Sequence, residues 1–298
     1  MSNQYKQFEI EGVLKIIEEK PGFPMIHISN EFAEAGISLY GGQVLSFKPK
    51  QQNELLFLSE KAYYENGKAI KGGIPVCWPW FGNDPEDKGR PAHGFARNTL
   101  WSLGSTEQLV DGTTRVVITM LASEHTRILF PNDFKLSLIV YVGKSLTLEL
   151  ITQNTGDEAF DITQALHTYF SVENIDEVAI SGLDQKTYLD KAKSNHGEER
   201  KLQIDDVEFE GEVDRIYLDV PQQIILKRKP DGDAVFVESK NNKTAVIWNP
   251  WKDLCAKSAD LKDDDYRRFV CVETANAAHD VISLAAGESF SLTAIYSL

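Results

Sequence analysis

Apolar residues recur along this chain mostly at every second position, in short runs separated by turn-forming residues. In Ser145–Thr152, Leu146, Leu148 and Leu150 fall on one face while Thr147 and Glu149 fall on the other, the period-2 pattern of a half-buried strand. Similar runs cover Phe8–Ile17, Pro24–Ser29, Gly36–Phe47, Glu54–Leu58, Arg115–Ala122, Phe134–Val142, Ala159–His167 and Glu177–Ser181. They continue through Arg215–Val220, Gln223–Arg228, Ala234–Glu238, Thr244–Trp248, Phe269–Thr274 and Ser289–Tyr296. Gly143-Lys144, between two such runs, reads as a hairpin turn, and Gly41-Gly42 as a bulge or a close backbone approach. Helical periodicity is scarce, with a turn or two expected in Asp253–Leu261. Many short strands with little helix predict an all-β protein, a large antiparallel β-sandwich. No low-complexity linker or internal repeat divides residues 1–298, so a single domain is expected, with the polar stretch Asp190–Arg200 as an exposed loop.

One stretch breaks the pattern. Lys71–Arg97, KGGIPVCWPWFGNDPEDKGRPAHGFAR, carries four prolines, two tryptophans, two phenylalanines and a glycine pair. Proline excludes a helix here, and Ile74, Val76, Trp78, Trp80 and Phe81 are too apolar for a solvated linker. A rigid loop braced by aromatics remains, with Lys71, Lys88, Arg90 and Arg97 as its basic side chains. The aromatics Trp78, Trp80 and Phe81 either form the loop's own core or stack on a ligand.

Charge and cysteine content narrow the function. A formal net charge of −14 over 298 residues argues against nucleic acid or an anionic membrane as partner. An anionic small molecule would need a local basic cluster, which the loop supplies. The three cysteines, Cys77, Cys255 and Cys271, are widely spaced and form no zinc-type or redox motif. With no signal-peptide pattern at the N-terminus and no apolar run of membrane-spanning length, a cytoplasmic location is expected. The sequence leaves the oligomeric state open, and a monomer is compatible with it.

Two strands carry candidate chemistry. His167 follows Thr163 and Ala165 on one face, so it either projects over small side chains into a cavity or is satisfied by its neighbours. Glu273 ends Phe269-Val270-Cys271-Val272, apolar on both faces. An ionised carboxylate there needs a partner or a task, unless the strand end emerges into solvent. Asp214 precedes Arg215–Val220 and reads equally as a strand-initiating aspartate. His27, His125, His196 and His279 have no partners at metal-ligand spacing, and Asp263-Asp264-Asp265 lacks the spacing of a calcium loop. No nucleophile elbow, phosphate loop or dinucleotide fingerprint occurs.

GGIPVCWPWFG followed by HGFAR resembles the signature of the hexose-6-phosphate mutarotases (glucose-6-phosphate 1-epimerases), a branch of the galactose mutarotase-like superfamily. QALHTYF, FVCVETAN, DRIY and FPNDFKL occur in the family's order, so the resemblance covers most of the chain. It implies a galactose mutarotase-like supersandwich, no cofactor and no metal, and a small sugar phosphate as partner. It implies His167 and Glu273 as the catalytic pair, with Lys71, His93, Arg97 and Asp214 at the substrate. Lys71 departs from the arginine more common before GGIP, and lysine lacks the planar fork that grips a phosphate in two places.

The implied reaction opens and recloses a hemiacetal ring. A base takes the C1 hydroxyl proton, an acid protonates the ring oxygen, and closure on the other face of the aldehyde inverts C1. Acid–base catalysis supplies roughly 10²–10⁴-fold. The resemblance assigns Glu273 as base and a protonated His167 as acid, an arrangement that Asp214 is expected to favour, with Lys71 and Arg97, and less directly Arg90, on the anion. Two rivals remain from sequence: a non-catalytic carbohydrate-binding sandwich, and a glycoside hydrolase pairing Glu273 with Asp214.

Overall fold

In the computed structural model, which describes residues 4–192, 199–228 and 234–298, strands dominate and pair antiparallel within the sheets. Two α-helices occur among the described residues, Glu124–Leu129 and Trp251–Lys257. The second answers the expected turn at Asp253–Leu261, starting two residues earlier; the first has no counterpart in the strand pattern. Its start is fixed by Ser123, whose hydroxyl accepts from Thr126 N–H at 3.2 Å while Thr126 Oγ1 accepts from Ser123 N–H at 2.8 Å. No helix is long and apolar enough to cross a membrane among the described residues.

Two eight-stranded sheets form the body. One runs, in spatial order, Val178–Ser181, Gln223–Arg228, Val235–Lys240, Ser289–Ser297, Leu146–Asn154, Phe134–Val142, Thr114–Leu121 and Ser102–Gln108. Phe134–Val142 and Leu146–Asn154 are joined by the expected hairpin, and alternate residues in both are buried. The other runs Glu199–Leu202, Thr187–Asp190, Val213–Leu218, Thr244–Asn249, Phe269–Asn276, Gln164–Leu166 and Val76–Cys77, with Tyr169–Ser171 also pairing to Phe269–Asn276. This second sheet carries the candidate chemistry. A four-stranded meander, Leu14–Lys20, Phe23–Ser29, Ala33–Ser38 and Gln43–Pro49, covers one flank.

Several expected elements differ in detail. Gly36–Phe47 is two strands, and Gly41-Gly42 is the turn between them. The close approach is real: a Cβ on Gly42 would lie 2.7 Å from the buried Trp101 ring. Glu54–Leu58 is no ladder strand and pairs with its neighbours through isolated bridges, Leu56 to Phe170 and Leu58 to Gly72. Ala159–His167 is broken at Thr163, whose hydroxyl accepts from Phe81 N–H at 2.9 Å and binds the aromatic loop to the strand. The expected loop Asp190–Arg200 begins and ends in paired strands, Asp190 opposite Glu199; its residues 193–198, His196 included, lie outside the described residues.

Phe269–Asn276 is buried at every position. It lies between two partners in the sheet, Thr244–Asn249 and Gln164–Leu166, and has side chains covered on both faces. The continuous apolar run Phe269–Val272 reflects that placement.

Candidate active site

The aromatic loop is tied to the histidine strand by its own backbone. Tyr169 N–H donates to Gly73 O at 2.9 Å and His167 N–H to Pro75 O at 3.0 Å, and Val76 and Cys77 then pair with Leu166 and Ala165. Such contact needs glycine: at Gly73, with φ +62°, a Cβ would lie 2.3 Å from Val44 O. Gln43 fixes the base of the loop, its Nε2 donating to Ile70 O at 3.1 Å and Gly72 O at 2.5 Å, on either side of Lys71. At the other end Gly94 passes so close to Trp78 that a Cβ would lie 1.9 Å from its carbonyl oxygen.

The tryptophans are structural. Trp78 is fully buried, donates Nε1–H to Thr152 Oγ1 at 3.0 Å, and packs against Phe95, Phe130 and Phe134. Burying an aromatic of that size removes about 150–250 Å² from water, an upper bound of roughly 4–6 kcal/mol, and leaves no ring face for a ligand. Trp80 Nε1–H donates to Pro91 O at 3.0 Å, and the Arg90 guanidinium lies 4.3 Å over its ring. Arg90 is not an anion site. Its Nε donates to Asp84 at 2.9 Å and its Nη1 to Leu129 O at 2.8 Å, and it ion-pairs with Asp84 and Glu86.

Strand register brings the distant candidates onto one face. Asp214 pairs with Trp248 and Trp248 with Cys271; two residues along, Ile216 pairs with Val246 and Val246 with Glu273. Glu273 is 1% exposed. Its Oε1 lies 3.4 Å from His167 Nε2, while Oε2 and His167 Nδ1 are buried without a hydrogen-bond partner. Tyr169 stacks on the imidazole at 4.9 Å between centroids and 10° between planes, and Trp248 meets its edge at 5.9 Å. These two rings fix the imidazole plane, and sequence spacing singled out neither of them.

His93 has φ +62°, and its ring lies 5.8 Å from that of His167. Its Nδ1 accepts from Gly82 N–H at 3.3 Å, which puts the ring proton on Nε2. Burial, then the Arg97 and Lys71 charges, push its pKa down to about 3, so His93 is neutral.

Lys71 and Arg97 line a pocket of about 270 Å³ together with Tyr169, Pro75 and Asp260. Lys71 Nζ lies 3.5 Å from Asp260 Oδ2. Ser59 holds both segments, its N–H donating to Lys71 O at 3.1 Å and its hydroxyl to Asp260 O at 2.7 Å. Arg97 Nη2 donates to Ala92 O at 2.9 Å, and its Nε is buried with no partner. Asp260 is among the pocket residues that sequence reasoning missed, with Tyr63, Lys68 and Tyr169: it sits in a polar stretch with no motif around it.

Burial governs the protons here. His167 is held well below its ordinary value, by burial first, then by its coupling to the His93 ring and by the positive charges of Arg97 and Lys71. Glu273 is pushed well up, by burial first and then by the negative charge of Asp214, with Arg97 opposing. Asp214 is itself raised to about 6, mainly by burial. Both shifts, on His167 and on Glu273, favour a neutral histidine beside a protonated glutamate in the free site. That corrects the expectation of a resting imidazolium and carboxylate: Asp214 repels charge on Glu273, and Arg97 and Lys71 repel charge on His167.

The sequence matches the family model described as aldose 1-epimerase over residues 24–297. A protein from Escherichia coli K12 named "Putative glucose-6-phosphate 1-epimerase" is 37% identical over 254 residues, 85% of this chain and 83% of that one. One of the same name from Cenchrus ciliaris is 37% identical over 265 residues, 86% and 78% of the two chains. Among solved structures, one described as "a putative mutarotase" from Salmonella typhimurium superposes with a TM-score of 0.89 at 30% identity, covering 97% of this chain and 94% of that one. A galactose mutarotase-like protein from Lactobacillus casei, at 15% identity and a TM-score of 0.73, covers 92% and 99% and shares the fold. The chain belongs to the aldose 1-epimerase family.

Proposed function

We propose that this protein interconverts the α and β anomers of an aldohexose 6-phosphate, glucose 6-phosphate foremost, with His167 and Glu273 as the acid–base pair. The observation that carries the reading is the 3.4 Å contact between His167 Nε2 and Glu273 Oε1, beside a pocket bearing Lys71 and Arg97. The names of the E. coli and Cenchrus relatives support the same substrate. An imidazole, rather than a second carboxyl, lies against Glu273, which counts against a glycosidase pairing with Asp214.

One proton shared by the pair suffices. Transfer from Glu273 Oε1 to His167 Nε2 makes a carboxylate and an imidazolium. Glu273 then takes the O1 proton while His167 protonates the ring oxygen, breaking the C1–O5 bond and leaving an aldehyde. Rotation about C1–C2 and reclosure return both protons, so each group acts once as acid and once as base, and the pair ends as it began.

Substrate binding prepares this transfer. Lys71 and Arg97 both disfavour charge on His167, and a phosphate dianion seated between them offsets that field. The anion that anchors the sugar thereby raises the proton affinity of the acid. His93, neutral with Nε2–H available, and Asp214 on the same sheet face are assigned to sugar hydroxyls.

The test is NMR exchange spectroscopy on equilibrated glucose 6-phosphate and glucose. The expected result is anomer exchange that rises linearly with protein concentration, faster for the phosphorylated sugar. No acceleration over buffer for either sugar overturns the function. Equal acceleration of both removes Lys71 and Arg97 from the anion role.

A further inference from the structure

Among the described residues, one cluster brings three ligating side chains of different chemistry together: His167, Cys271 and Glu273, all buried, with one donor atom of each within 4.8 Å of the others. We propose that this cluster is an inhibitory site for a borderline-soft divalent cation, zinc foremost, held by His167 Nε2, Cys271 Sγ and the Glu273 carboxylate.

The distances suit the ion. Zinc–nitrogen and zinc–oxygen bonds of about 2.0–2.2 Å at a tetrahedral angle set an N···O edge of about 3.4 Å. The His167–Glu273 contact is already 3.4 Å. With a zinc–sulfur bond of about 2.3 Å, the edges to sulfur are about 3.6 Å, so Cys271 closes by roughly 1 Å at most from within 4.8 Å. A nitrogen–sulfur–oxygen donor set selects zinc over magnesium or calcium, which prefer all-oxygen shells.

Charge balances as well. Zinc enters as the thiol and carboxyl protons leave, and two anionic ligands neutralise the dication, so the buried site carries no added net charge. The Glu273 Oε2 and His167 Nδ1 atoms, buried and without partners, mark a polar centre whose hydrogen-bonding capacity its neighbours leave unused. A bound ion would occupy both groups that move protons. Sequence spacing hid this site, since the histidine, in the break between Gln164–Leu166 and Tyr169–Ser171, and the cysteine, on Phe269–Asn276, are far apart in the chain.

The experiment uses the full chain, preincubated with zinc, cobalt(II) or magnesium. In the exchange assay, micromolar zinc is expected to suppress turnover, EDTA to restore it and magnesium to have no effect. Cys271→Ala is expected to keep basal exchange and to need at least tenfold more zinc. A readout independent of activity is the near-ultraviolet thiolate-to-cobalt charge-transfer band, expected in the native protein and absent from Cys271→Ala and Cys271→Ser. A native protein with no such band overturns the site even if a variant fails to fold, as does a band that persists in either variant. Unchanged zinc sensitivity in Cys271→Ala also overturns it. The failure of the anomerase reading is distinguishable, because the cobalt band does not depend on turnover.

Discussion

Replacing Glu273 by glutamine should separate function from stability in opposite directions. The amide keeps the size of the side chain and its reach to His167 but carries no exchangeable acid proton. With the base at O1 gone, exchange should fall by about 10²–10⁴-fold, equivalent to roughly 2.7–5.4 kcal/mol on the barrier. Stability should move the other way. The folded protein holds the Glu273 proton well above the ordinary 4.5, whereas the unfolded chain releases it there. Folding therefore takes up a proton above pH 4.5, and the stability this carboxyl contributes falls as pH rises from that point toward its folded-state value. The limiting slope is about 1.4 kcal/mol per pH unit. Between pH 5 and 7 the Glu273→Gln protein should therefore gain up to about 3 kcal/mol relative to native, a relative rise of about 5 °C in Tm. Other titrating groups cancel in the difference between the two proteins. The assay is thermal or urea unfolding of both proteins at pH 5, 6 and 7, beside NMR exchange rates. A stability difference independent of pH refutes the buried, protonated carboxyl, and exchange within tenfold of native refutes its role as base.

Other consequences follow from the same geometry. Both shifts widen the pH range of the pair's one-proton state, because a second proton binds only well below the ordinary histidine value of 6.5 and the last leaves well above 4.5. At saturating substrate kcat should therefore show no limb at the ordinary histidine value of 6.5, and a limb centred there would contradict the pairing. Arg97→Ala should raise KM for glucose 6-phosphate by about 10–100-fold through loss of charged hydrogen bonds worth roughly 1.5–3 kcal/mol. The same change should leave kcat/KM for glucose unchanged or higher, and equal losses on both sugars would remove Arg97 from the anion site. Gly94→Ala, whose Cβ would lie 1.9 Å from Trp78 O at φ +71°, should cost about 1–3 kcal/mol, read by urea unfolding. A loss below 0.5 kcal/mol, the size of an ordinary surface substitution, would contradict the close packing of the loop.

Strand positions were legible wherever burial alternates or is complete, since Phe134–Val142 and Gln223–Arg228 match the pattern end to end. The pattern failed at Glu54–Leu58, an apolar run that packs under the aromatic loop through single bridges, because burial alone does not reveal a ladder partner. It also failed at Thr187–Asp190 and Glu199–Leu202, whose polar sequence pairs at a sheet edge. Spacing alone pointed to His167 and Glu273 as unusual, a histidine over small residues and a carboxylate in a two-faced apolar strand. Their meeting was not in the spacing, since it depends on Gln164–Leu166 lying beside Phe269–Asn276. Their protonation was missed for a related reason: burial and the cations near His167 outweigh the attraction that a carboxylate–imidazole pair suggests on paper. Asp260 escaped because its ion pair with Lys71 joins segments far apart in sequence.

The central claim is that His167 and Glu273 pass one proton between them as a unit. A kinetic double-mutant cycle tests it most directly, with anomer exchange of glucose 6-phosphate measured for native protein, His167→Ala, Glu273→Gln and the double variant. A shared relay predicts that the double variant loses no more than the worse single one, since either change disables the whole path. Losses that multiply, with the double variant slower by the product of the two, would show two groups acting independently and contradict the account.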